Sequence, residues 1–275
     1  MKIEELFSVQ GKVALVTGGS RGIGEMIAAG ILTTGVQVYI SSRKKDQCDA
    51  TAKRLSETYG AECISIPANL SELSGIESLV AALSEREDHL DILVNNAGVA
   101  WGAPLEEFPE VGWDKVFDTN VKGVFFLTQK LLPLLEANAT KEDPARIINI
   151  GSVYGIQGGN PALYPGMDWD IAPYFVSKHA VHGIAHYLAP WLAKSGVTIN
   201  TLHPGGFAGS EMNEKAMSER ASGLSEMEKA FQAAVPMGRI GGPDDISAAA
   251  VFMASPGSKY MTGQEVVVDG GWSAW

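Results

Sequence analysis

Short apolar runs alternate with longer amphipathic stretches along nearly all of the 275-residue chain. Seven runs are predicted as strands: Val13–Thr17, Val36–Ser41, Cys63–Ile66, Ile92–Val94, Arg146–Ile150, Thr198–Leu202 and Glu265–Val268. The stretches predicted as helices lie near 22–33, 45–59, 72–87, 112–138, 173–194 and 244–254. Continuous apolar strands separated by helices are typical of parallel strands covered on both faces. The pattern predicts an α/β fold in which one domain, residues 1–275, is built on a doubly wound, mostly parallel, seven-stranded sheet.

Two segments interrupt the alternation, residues 153–173 and 206–235. Both begin near the carboxyl ends of predicted strands, where ligands bind in open α/β sheets. Their larger apolar side chains indicate an apolar pocket, although residues of a lid can equally pack on one another. These side chains are Tyr154, Tyr164, Trp169, Phe207, Met212 and Met217. We expect the two segments to shape a substrate site.

Charge and cysteine content argue against several kinds of partner. The formal net charge of −11 disfavours nucleic acid and anionic membrane surfaces, since both need a basic footprint. The first residues carry carboxylates where a signal peptide needs an apolar run, and no apolar stretch has the length of a membrane span. Cys48 and Cys63 are interpreted as reduced, buried thiols, with a disulfide as the alternative. We therefore expect a cytoplasmic protein.

A glycine-rich loop follows the first predicted strand and opens the first predicted helix. It runs from Gly18 to Gly24, and its candidate cofactor contacts are Gly18, Ser20, Arg21, Gly22, Ile23 and Gly24. Glycines allow a tight turn, and they let backbone N–H groups and the helix N-terminus approach a pyrophosphate. A tight strand-to-helix turn needs glycine for structural reasons as well, so the loop alone is a modest signal. Its position in the first β-α unit favours a dinucleotide site.

The end of the second predicted strand indicates which dinucleotide is bound. NAD sites place a carboxylate there to hold the ribose 2′-hydroxyl. Here the strand is followed by Ser42 and Arg43, and the first carboxylate after it is Asp46. Arg43 can clamp a 2′-phosphate in a bidentate manner, and Arg21 can approach the same phosphate from the glycine loop. The alternative is a solvated basic helix start, which opposes the helix dipole. The sequence therefore predicts NADP(H) as the cofactor.

Tyr174 and Lys178 lie four residues apart in a predicted helix, so their side chains share one face. A phenol with a pKa near 10 is a poor acid–base catalyst at neutral pH. An ammonium about 5 Å away would lower that pKa by roughly two units. The pair alone is common by chance, and its structural alternative is a surface tyrosine lying along a lysine stem. Together with the glycine loop, it predicts a catalytic acid and its partner.

Several short segments occur together in a recognisable order. Besides the glycine loop and the Tyr174–Lys178 pair they are Asn95-Asn96-Ala97-Gly98, Thr119-Asn120-Val121, Gly151-Ser152-Val153, His203-Pro204-Gly205 and Val268-Asp269-Gly270-Gly271-Trp272. In this order and spacing they resemble the short-chain dehydrogenase/reductase family, from Gly11 to Trp272. The resemblance implies a single-domain Rossmann fold and an oxidoreductase that transfers hydride between NADP(H) and a ketone or alcohol.

The resemblance also implies roles for individual residues. Tyr174 would donate a proton to the substrate carbonyl oxygen, and Ser152 would hydrogen-bond that oxygen. Lys178 would bind the nicotinamide ribose and lower the pKa of Tyr174, while Asn120 would hold a water. The implied cofactor contacts are Gly18, Ser20, Arg21, Gly22, Ile23, Gly24, Ser42, Arg43, Asn69, Leu70, Asn96, Ala97, Gly98, Tyr174, Lys178, Pro204, Gly205, Phe207 and Ser210.

The chain departs from the family pattern at three places. Asn69 stands where the family usually has Asp, so the bond to the adenine amino group would lack charge. Ser152 and Tyr174 are 22 residues apart, more than is common, which indicates an enlarged loop beside the substrate. Gly209 occupies the usual position of a threonine that contacts the carboxamide, so Ser210 is its candidate replacement.

His179, His182 and His186 share helical spacing. A metal site is the disfavoured interpretation, because no carboxylate or cysteine lies at a compatible spacing. The favoured interpretation is that this helix packs against its copy in a homodimer or homotetramer. The C-terminal Trp272 and Trp275 suit an oligomer contact or a packed core edge equally well.

The stretches Leu93 to Pro104 and Pro144 to Ser152 are similar to 3-oxoacyl reductases of fatty-acid and rhamnolipid precursor synthesis. We therefore expect a small-molecule carbonyl substrate. A sugar or polyol dehydrogenase is the first alternative, and a non-catalytic NADP-sensing protein is the second. The natural substrate, its stereochemistry and the oligomer size are not determined by these patterns.

Overall fold

The structure, a computed structural model, describes residues 2–160, 170–207, 229 and 232–274. Its seven strands form one sheet in the order β3-β2-β1-β4-β5-β6-β7, and all neighbouring pairs are parallel. The strands are β1 (Val13–Thr17), β2 (Gln37–Ser41), β3 (Cys63–Ser65), β4 (Ile92–Asn95), β5 (Ala145–Ile150), β6 (Val197–Pro204) and β7 (Glu265–Val268). The predicted sheet is confirmed, with β6 reaching two residues further than predicted.

The described helices are α1 (Ile3–Phe7), α2 (Gly22–Leu32), α3 (Lys45–Tyr59), α4 (Leu73–Ser84), α5 (Glu110–Phe117), α6 (Gly123–Ala137), α7 (Ala172–Leu192) and α8 (Pro243–Ala254). The short α1 was not predicted. The helix predicted over 112–138 is two α-helices joined by a π-helical turn, Asp118–Lys122. Such turns widen a helix locally and are frequent at functional sites.

Strand residues alternate between two apolar clusters, one on each face of the sheet. Ala14 and Val16 pack with residues of α2, α3 and α8, whereas Val13 and Leu15 pack with residues of α4, α6 and α7. Helices therefore cover both faces, which is the doubly wound Rossmann arrangement. None of the described helices has the length and apolarity needed to cross a bilayer. Cys48 and Cys63 are both buried and free, so the reduced-thiol interpretation is confirmed.

The strand order places a crevice at one end of the sheet. The chain runs outward from β1 through β2 to β3, and then returns to β4 on the other side of β1. In open α/β sheets ligands bind at such a reversal, beyond the carboxyl ends of the strands. The glycine loop after β1, Asn96 after β4 and Ser152 after β5 all lie at these ends.

Candidate active site

The glycine loop connects β1 to α2 through a turn that side chains would block. Gly18 and Gly22 have φ of +64° and +56°, in the left-handed region that favours glycine. A Cβ on Gly24 would lie 2.3 Å from Asn96 Nδ2 and 2.4 Å from the carbonyl oxygen of Gly18. The predicted tight turn is therefore present, with its backbone packed closely against Asn96.

Asn96 holds the glycine loop in place from the end of β4. Its Nδ2 donates to the carbonyl oxygens of Thr17 and Gly18, at 2.8 and 3.3 Å. The Thr17 hydroxyl accepts from the backbone N–H groups of Asn96 and Ala97, at 3.0 and 3.1 Å, and donates to the Val94 carbonyl at 3.2 Å. Sequence reasoning included Asn96 and Ala97 but missed Thr17, which joins the two loops.

The end of β2 presents positive charge beside the glycine loop. Arg43 is exposed, and Ser42 and Arg21 are partly exposed. Ser20 is buried, and its carbonyl oxygen accepts from the Thr51 hydroxyl at 3.0 Å, which ties the loop to α3. Ile23 packs against the core. The Arg43 guanidinium is thus accessible to a phosphate in the crevice.

Asn69 is engaged locally. Its Oδ1 accepts from the Ser71 hydroxyl at 2.9 Å and from the Ser71 backbone N–H at 3.4 Å, while its Nδ2 donates to Glu72 at 2.8 Å. Both lone pairs of the side-chain oxygen are therefore occupied, and an adenine amino group would have to displace one bond. The side chain of Leu70 is buried in the core, so only its backbone can face a ligand.

Ser152 and Tyr174 are brought together by β5 and α7, although 22 residues separate them in the sequence. The Ser152 hydroxyl is near enough to the Tyr174 phenol to favour the phenolate and so to lower the pKa of Tyr174. The Ser152 Oγ also accepts from the Tyr154 backbone N–H at 3.1 Å. That bond uses an oxygen lone pair and leaves the serine hydrogen for donation. The predicted serine–tyrosine pair is therefore assembled.

Lys178 extends from the same face of α7 as Tyr174. Its Nζ donates to the Ile150 carbonyl oxygen at 2.8 Å and lies 5.5 Å from the centre of the Tyr174 ring. Burial disfavours the charged ammonium and lowers the pKa of Lys178 to about 8. A Cβ on Gly98 would lie 3.6 Å from this Nζ, so the Gly98 backbone is next to the ammonium.

The predicted lowering of the Tyr174 pKa is wrong in this structure. Burial raises the pKa of Tyr174 to about 12, and the Ser152 hydroxyl offsets only part of the rise. The physical reason is that desolvation of the phenolate outweighs attraction to a lysine whose hydrogen bond points to Ile150. Tyr174 therefore carries its proton throughout the neutral range, as a proton donor must.

Asn120 lies in the π-helical turn and is almost fully buried. Its Oδ1 accepts from the Val99 N–H at 2.8 Å, and its Nδ2 donates to the Val99 carbonyl at 3.0 Å and to the Ser177 hydroxyl at 2.9 Å. Both of its N–H donors are therefore used within the protein. The second lone pair of Oδ1 and the backbone carbonyl are the acceptors through which Asn120 could hold the predicted water.

His203 supports Ser152 from the neighbouring strand, a contact that the sequence did not predict. The ring is fully buried, and its Nδ1 lies 2.8 Å from the Ser152 carbonyl oxygen and 3.2 Å from the Ser152 N–H nitrogen. Pro204 ends β6, and Gly205 N–H donates to the Val268 carbonyl at 2.9 Å. The buried Phe207 pairs with Gly241. Ser210 lies outside the described residues.

An aromatic cluster borders Tyr174. The Tyr154 ring stacks on Phe175 at 4.3 Å and meets Trp272 edge-on at 5.7 Å. Val235 belongs to the same cluster, so the described ends of segments 153–173 and 206–235 converge there. Trp272 is therefore a packed edge of the fold. Tyr164, Trp169, Met212, Met217 and Trp275 lie outside the described residues.

These residues fit a phosphorylated dinucleotide. Gly18 and Gly24 pack so closely on Asn96 and the neighbouring backbone that a Cβ would clash, which keeps the turn before α2 tight, and Gly98 lies beside the Lys178 ammonium. Arg43 supplies an exposed cation at the end of β2, where a 2′-phosphate is expected. The arrangement can position a carbonyl oxygen beside a neutral phenol and a serine hydroxyl, with a cation behind them.

Comparisons with known proteins agree with this geometry. A family profile described as Enoyl-(Acyl carrier protein) reductase matches residues 18–273. The rhamnolipids biosynthesis 3-oxoacyl-[acyl-carrier-protein] reductase of Pseudomonas aeruginosa is 44% identical over 265 residues, which cover 96% of this chain and 97% of that protein. The 2-dehydro-3-deoxy-D-gluconate 5-dehydrogenase of Bacillus subtilis is 35% identical over 270 residues, 98% of each chain.

Solved structures give the same result. The Pseudomonas aeruginosa RhlG/NADP active-site complex superposes with a TM-score of 0.89 at 43% identity, covering 98% of this chain and 99% of that one. A gluconate 5-dehydrogenase from Burkholderia cenocepacia, in complex with NADP and tartrate, superposes with a TM-score of 0.86 at 29% identity over the full length of both chains.

Proposed function

Because the chain belongs to the short-chain dehydrogenase/reductase family, we propose that it reduces the 3-oxo group of an acyl thioester. The protein is an NADP(H)-dependent oxidoreductase that acts on CH–OH and C=O groups. The observation that carries the proposal is that β5 and α7 bring Ser152 and the neutral Tyr174 together, with Lys178 behind them. The relative of 44% identity, named as a 3-oxoacyl reductase, supports the acyl substrate.

The proposed mechanism assigns each polar group one task. NADPH, when bound, supplies the hydride that reduces the carbonyl carbon. Tyr174 donates its hydroxyl proton to the carbonyl oxygen, which becomes the product hydroxyl. Ser152 donates a hydrogen bond to the same oxygen and keeps it within reach of Tyr174. Donors already aimed at the developing negative charge stabilise the transition state more than mobile water would.

Lys178 and Asn120 act behind this pair. Lys178 carries a positive charge below about pH 8, which stabilises the phenolate left after Tyr174 has given up its proton. Lys178 would also hold the ribose hydroxyls of the nicotinamide half. Asn120 fixes the backbone of Val99 and the hydroxyl of Ser177 on α7, and so maintains the turn on which Tyr174 sits. A water held by its remaining acceptors would return the proton.

The cofactor would be held by the loops at the crevice. Backbone N–H groups from Gly18 to Gly24 would face the pyrophosphate at the start of α2, where the helix dipole favours negative charge. Arg43, helped by Arg21, would bind the 2′-phosphate. The remaining contacts proposed from the sequence are Ser42, Asn69, Leu70, Asn96, Ala97, Gly98, Pro204, Gly205, Phe207 and Ser210.

The substrate would lie against the aromatic cluster of Tyr154, Phe175 and Trp272. These rings are packed on one another at the side of Tyr174 where segments 153–173 and 206–235 converge. An apolar wall suits an acyl chain better than a polyhydroxy acid, which would leave its hydroxyls without partners. Both segments are accordingly proposed as substrate loops of a single domain, residues 1–275.

A sugar-acid dehydrogenase is the second candidate, because relatives of 34 and 35% identity are named as gluconate dehydrogenases. A spectrophotometric NADPH assay separates the candidates, with 3-oxoacyl thioesters, simple ketones, 5-keto sugar acids and an enoyl thioester as substrates. We expect the highest kcat/KM with a 3-oxoacyl thioester. A preference for the keto sugar acid would favour the second candidate, and tight NADPH binding without any turnover would indicate a sensor.

The protein is further proposed to form a homodimer or homotetramer in the cytoplasm. Large apolar side chains are exposed on α5 and α7, namely Val111, Trp113, Val176, Tyr187 and Trp191. An exposed apolar patch of this kind suits contact with a second copy. Light scattering should give a multiple of the 29.2 kDa chain mass, and Trp191→Glu should reduce it while Tyr260→Glu should not. The buried reduced thiols suit a reducing compartment.

A further inference from the structure

Two histidines and a glutamate meet at the sheet edge formed by β7. His182 and His186 lie one turn apart on α7, and their rings are 3.9 Å apart between centres. Glu265 is the first residue of β7, and one of its carboxylate oxygens is in close contact with His182 Nε2. One side-chain atom from each of the three lies within 4.8 Å of the other two. We propose that His182, His186 and Glu265 bind one Zn²⁺ ion per chain.

The spacing of the histidines suits one ion. Side chains four residues apart on a helix lie on the same face, and two histidines with this spacing bind zinc in metalloproteases. The rigid helix limits the separation of the two rings. The loop before β7 lies next to His186, since a Cβ on Gly263 would be 3.9 Å from His186 Cδ2. Both ligand-bearing segments are therefore held in place by the fold.

The polar atoms around the cluster are not all satisfied within the described part of the chain. His182 Nδ1 and His203 Nε2 are buried there without a hydrogen-bond partner. His203 is fully buried, and its Nε2 faces the second oxygen of Glu265 at 3.8 Å. The 2.8 Å contact of His203 Nδ1 with the Ser152 carbonyl oxygen places a proton on Nδ1, so Nε2 presents a lone pair toward this carboxylate. A lone pair and a carboxylate that face each other without a proton between them are stabilised by a nearby cation.

The ligand set indicates the class of metal. Two imidazoles and one carboxylate are a common protein ligand set for zinc, with water in the fourth tetrahedral position. Mg²⁺ and Ca²⁺ prefer oxygen ligands throughout, so they would leave the two imidazoles unused. The ion would join α7 to β7 on the flank of α7 that faces the sheet edge. It would take no part in hydride transfer, so this inference does not depend on the proposed substrate.

Calorimetric titration of the full-length, tag-free protein tests the proposal. The protein is first treated with a chelator, saturated with NADP⁺ and then titrated with ZnCl₂. We expect one site per chain with micromolar or tighter affinity, weakened about tenfold or more in His186→Asn and in Glu265→Gln. His179→Asn is the matched control, since His179 lies on the same helix but contacts the Phe175 carbonyl at 3.0 Å and is outside the cluster. Its affinity should equal that of the wild type.

A melting curve provides the second readout. At about a hundredfold excess of Zn²⁺ over its Kd, the wild type should melt about 5–10 °C higher, and the two ligand variants should not respond. Metal-free melting temperatures show whether the variants are folded. The proposal is overturned if the wild type binds Zn²⁺ no more tightly than His186→Asn and Glu265→Gln do. It is equally overturned if MgCl₂ binds as tightly as ZnCl₂.

Discussion

The Lys178 ammonium donates its hydrogen bond to the Ile150 carbonyl oxygen, at 2.8 Å, on the strand that leads into Ser152. Lysine and serine thereby lie at the same strand end, while Tyr174 approaches the serine from α7. Burial acts on the two titratable groups in opposite directions, lowering the pKa of Lys178 to about 8 and raising that of Tyr174 to about 12. The site therefore combines a protonated phenol with a cation that titrates near neutrality.

The pH dependence of ketone reduction should follow Lys178. Below about pH 8 the ammonium is charged and stabilises the phenolate that forms as Tyr174 gives up its proton. As the pH rises through 8 this charge is lost, while Tyr174, with a pKa of about 12, stays protonated. We expect kcat for reduction to be level below about pH 7 and to decline above pH 8. Lys178→Met should be slow at every pH, and a decline that persists in this variant would contradict the assignment.

Removing the hydroxyl of Tyr174 should abolish turnover and leave cofactor binding almost intact. Tyr174→Phe keeps the ring on α7 but removes the proton donor, so kcat should fall by roughly a hundredfold to ten-thousandfold. NADPH binding, measured by fluorescence titration, should change little. Tyr260→Phe is the matched control, because Tyr260 is fully exposed to solvent and outside the proposed contact with a second copy. Retention of activity by Tyr174→Phe would refute the mechanism.

Arg43 should set the preference for NADPH over NADH. A charge-assisted bidentate bond to the 2′-phosphate is worth about 1.5–3 kcal/mol, so Arg43→Ala should reduce kcat/KM for NADPH roughly tenfold to hundredfold. The value for NADH should stay nearly constant, because NADH has no phosphate at that position. Lys53→Ala is the control: it removes an exposed cation on α3 and should change kcat/KM for neither NADPH nor NADH. A wild type that uses NADH as efficiently as NADPH would contradict the cofactor assignment.

The glycine loop should tolerate no side chain at Gly24. A methyl group there would lie 2.3 Å from Asn96 Nδ2 and 2.4 Å from the Gly18 carbonyl, so the loop or Asn96 must move. Gly24→Ala should lower the free energy of unfolding by about 1–3 kcal/mol and weaken NADPH binding. Gly158→Ala, where a Cβ meets nothing within 4 Å, should change stability by less than about 0.5 kcal/mol. Urea denaturation compares the two variants, and equal stabilities would show that the loop can accommodate a side chain at Gly24.

Features that follow from local sequence patterns could be predicted, whereas contacts between residues distant in the sequence could not. All seven strands follow from their apolar runs, and the glycine loop, Ser152, Tyr174 and Lys178 follow from local motifs. The contact of His203 with Ser152 depends on the register of β5 and β6, in which Ile150 pairs with Leu202. The grouping of Glu265 with His182 and His186 likewise needs the sheet to be formed.

Two further differences have local physical causes. The π-helical turn at Asp118–Lys122 was missed because one additional residue in a helical turn hardly changes the apolar periodicity. The sign of the Tyr174 shift was wrong because spacing predicts that Lys178 is near, but neither the depth of burial nor the Ile150 carbonyl that holds the ammonium. In both cases the missing information is three-dimensional.

Trp272 packs edge-on against Tyr154, although the two residues lie far apart in the sequence. Trp272 follows β7, and β7 joins the sheet by pairing with β6. The aromatic cluster beside Tyr174 therefore depends on a contact that forms only when β7 is docked on the sheet. Loosening β7 should open this cluster while the pairing of β1 with β2 and β4, which supports the glycine loop, is kept.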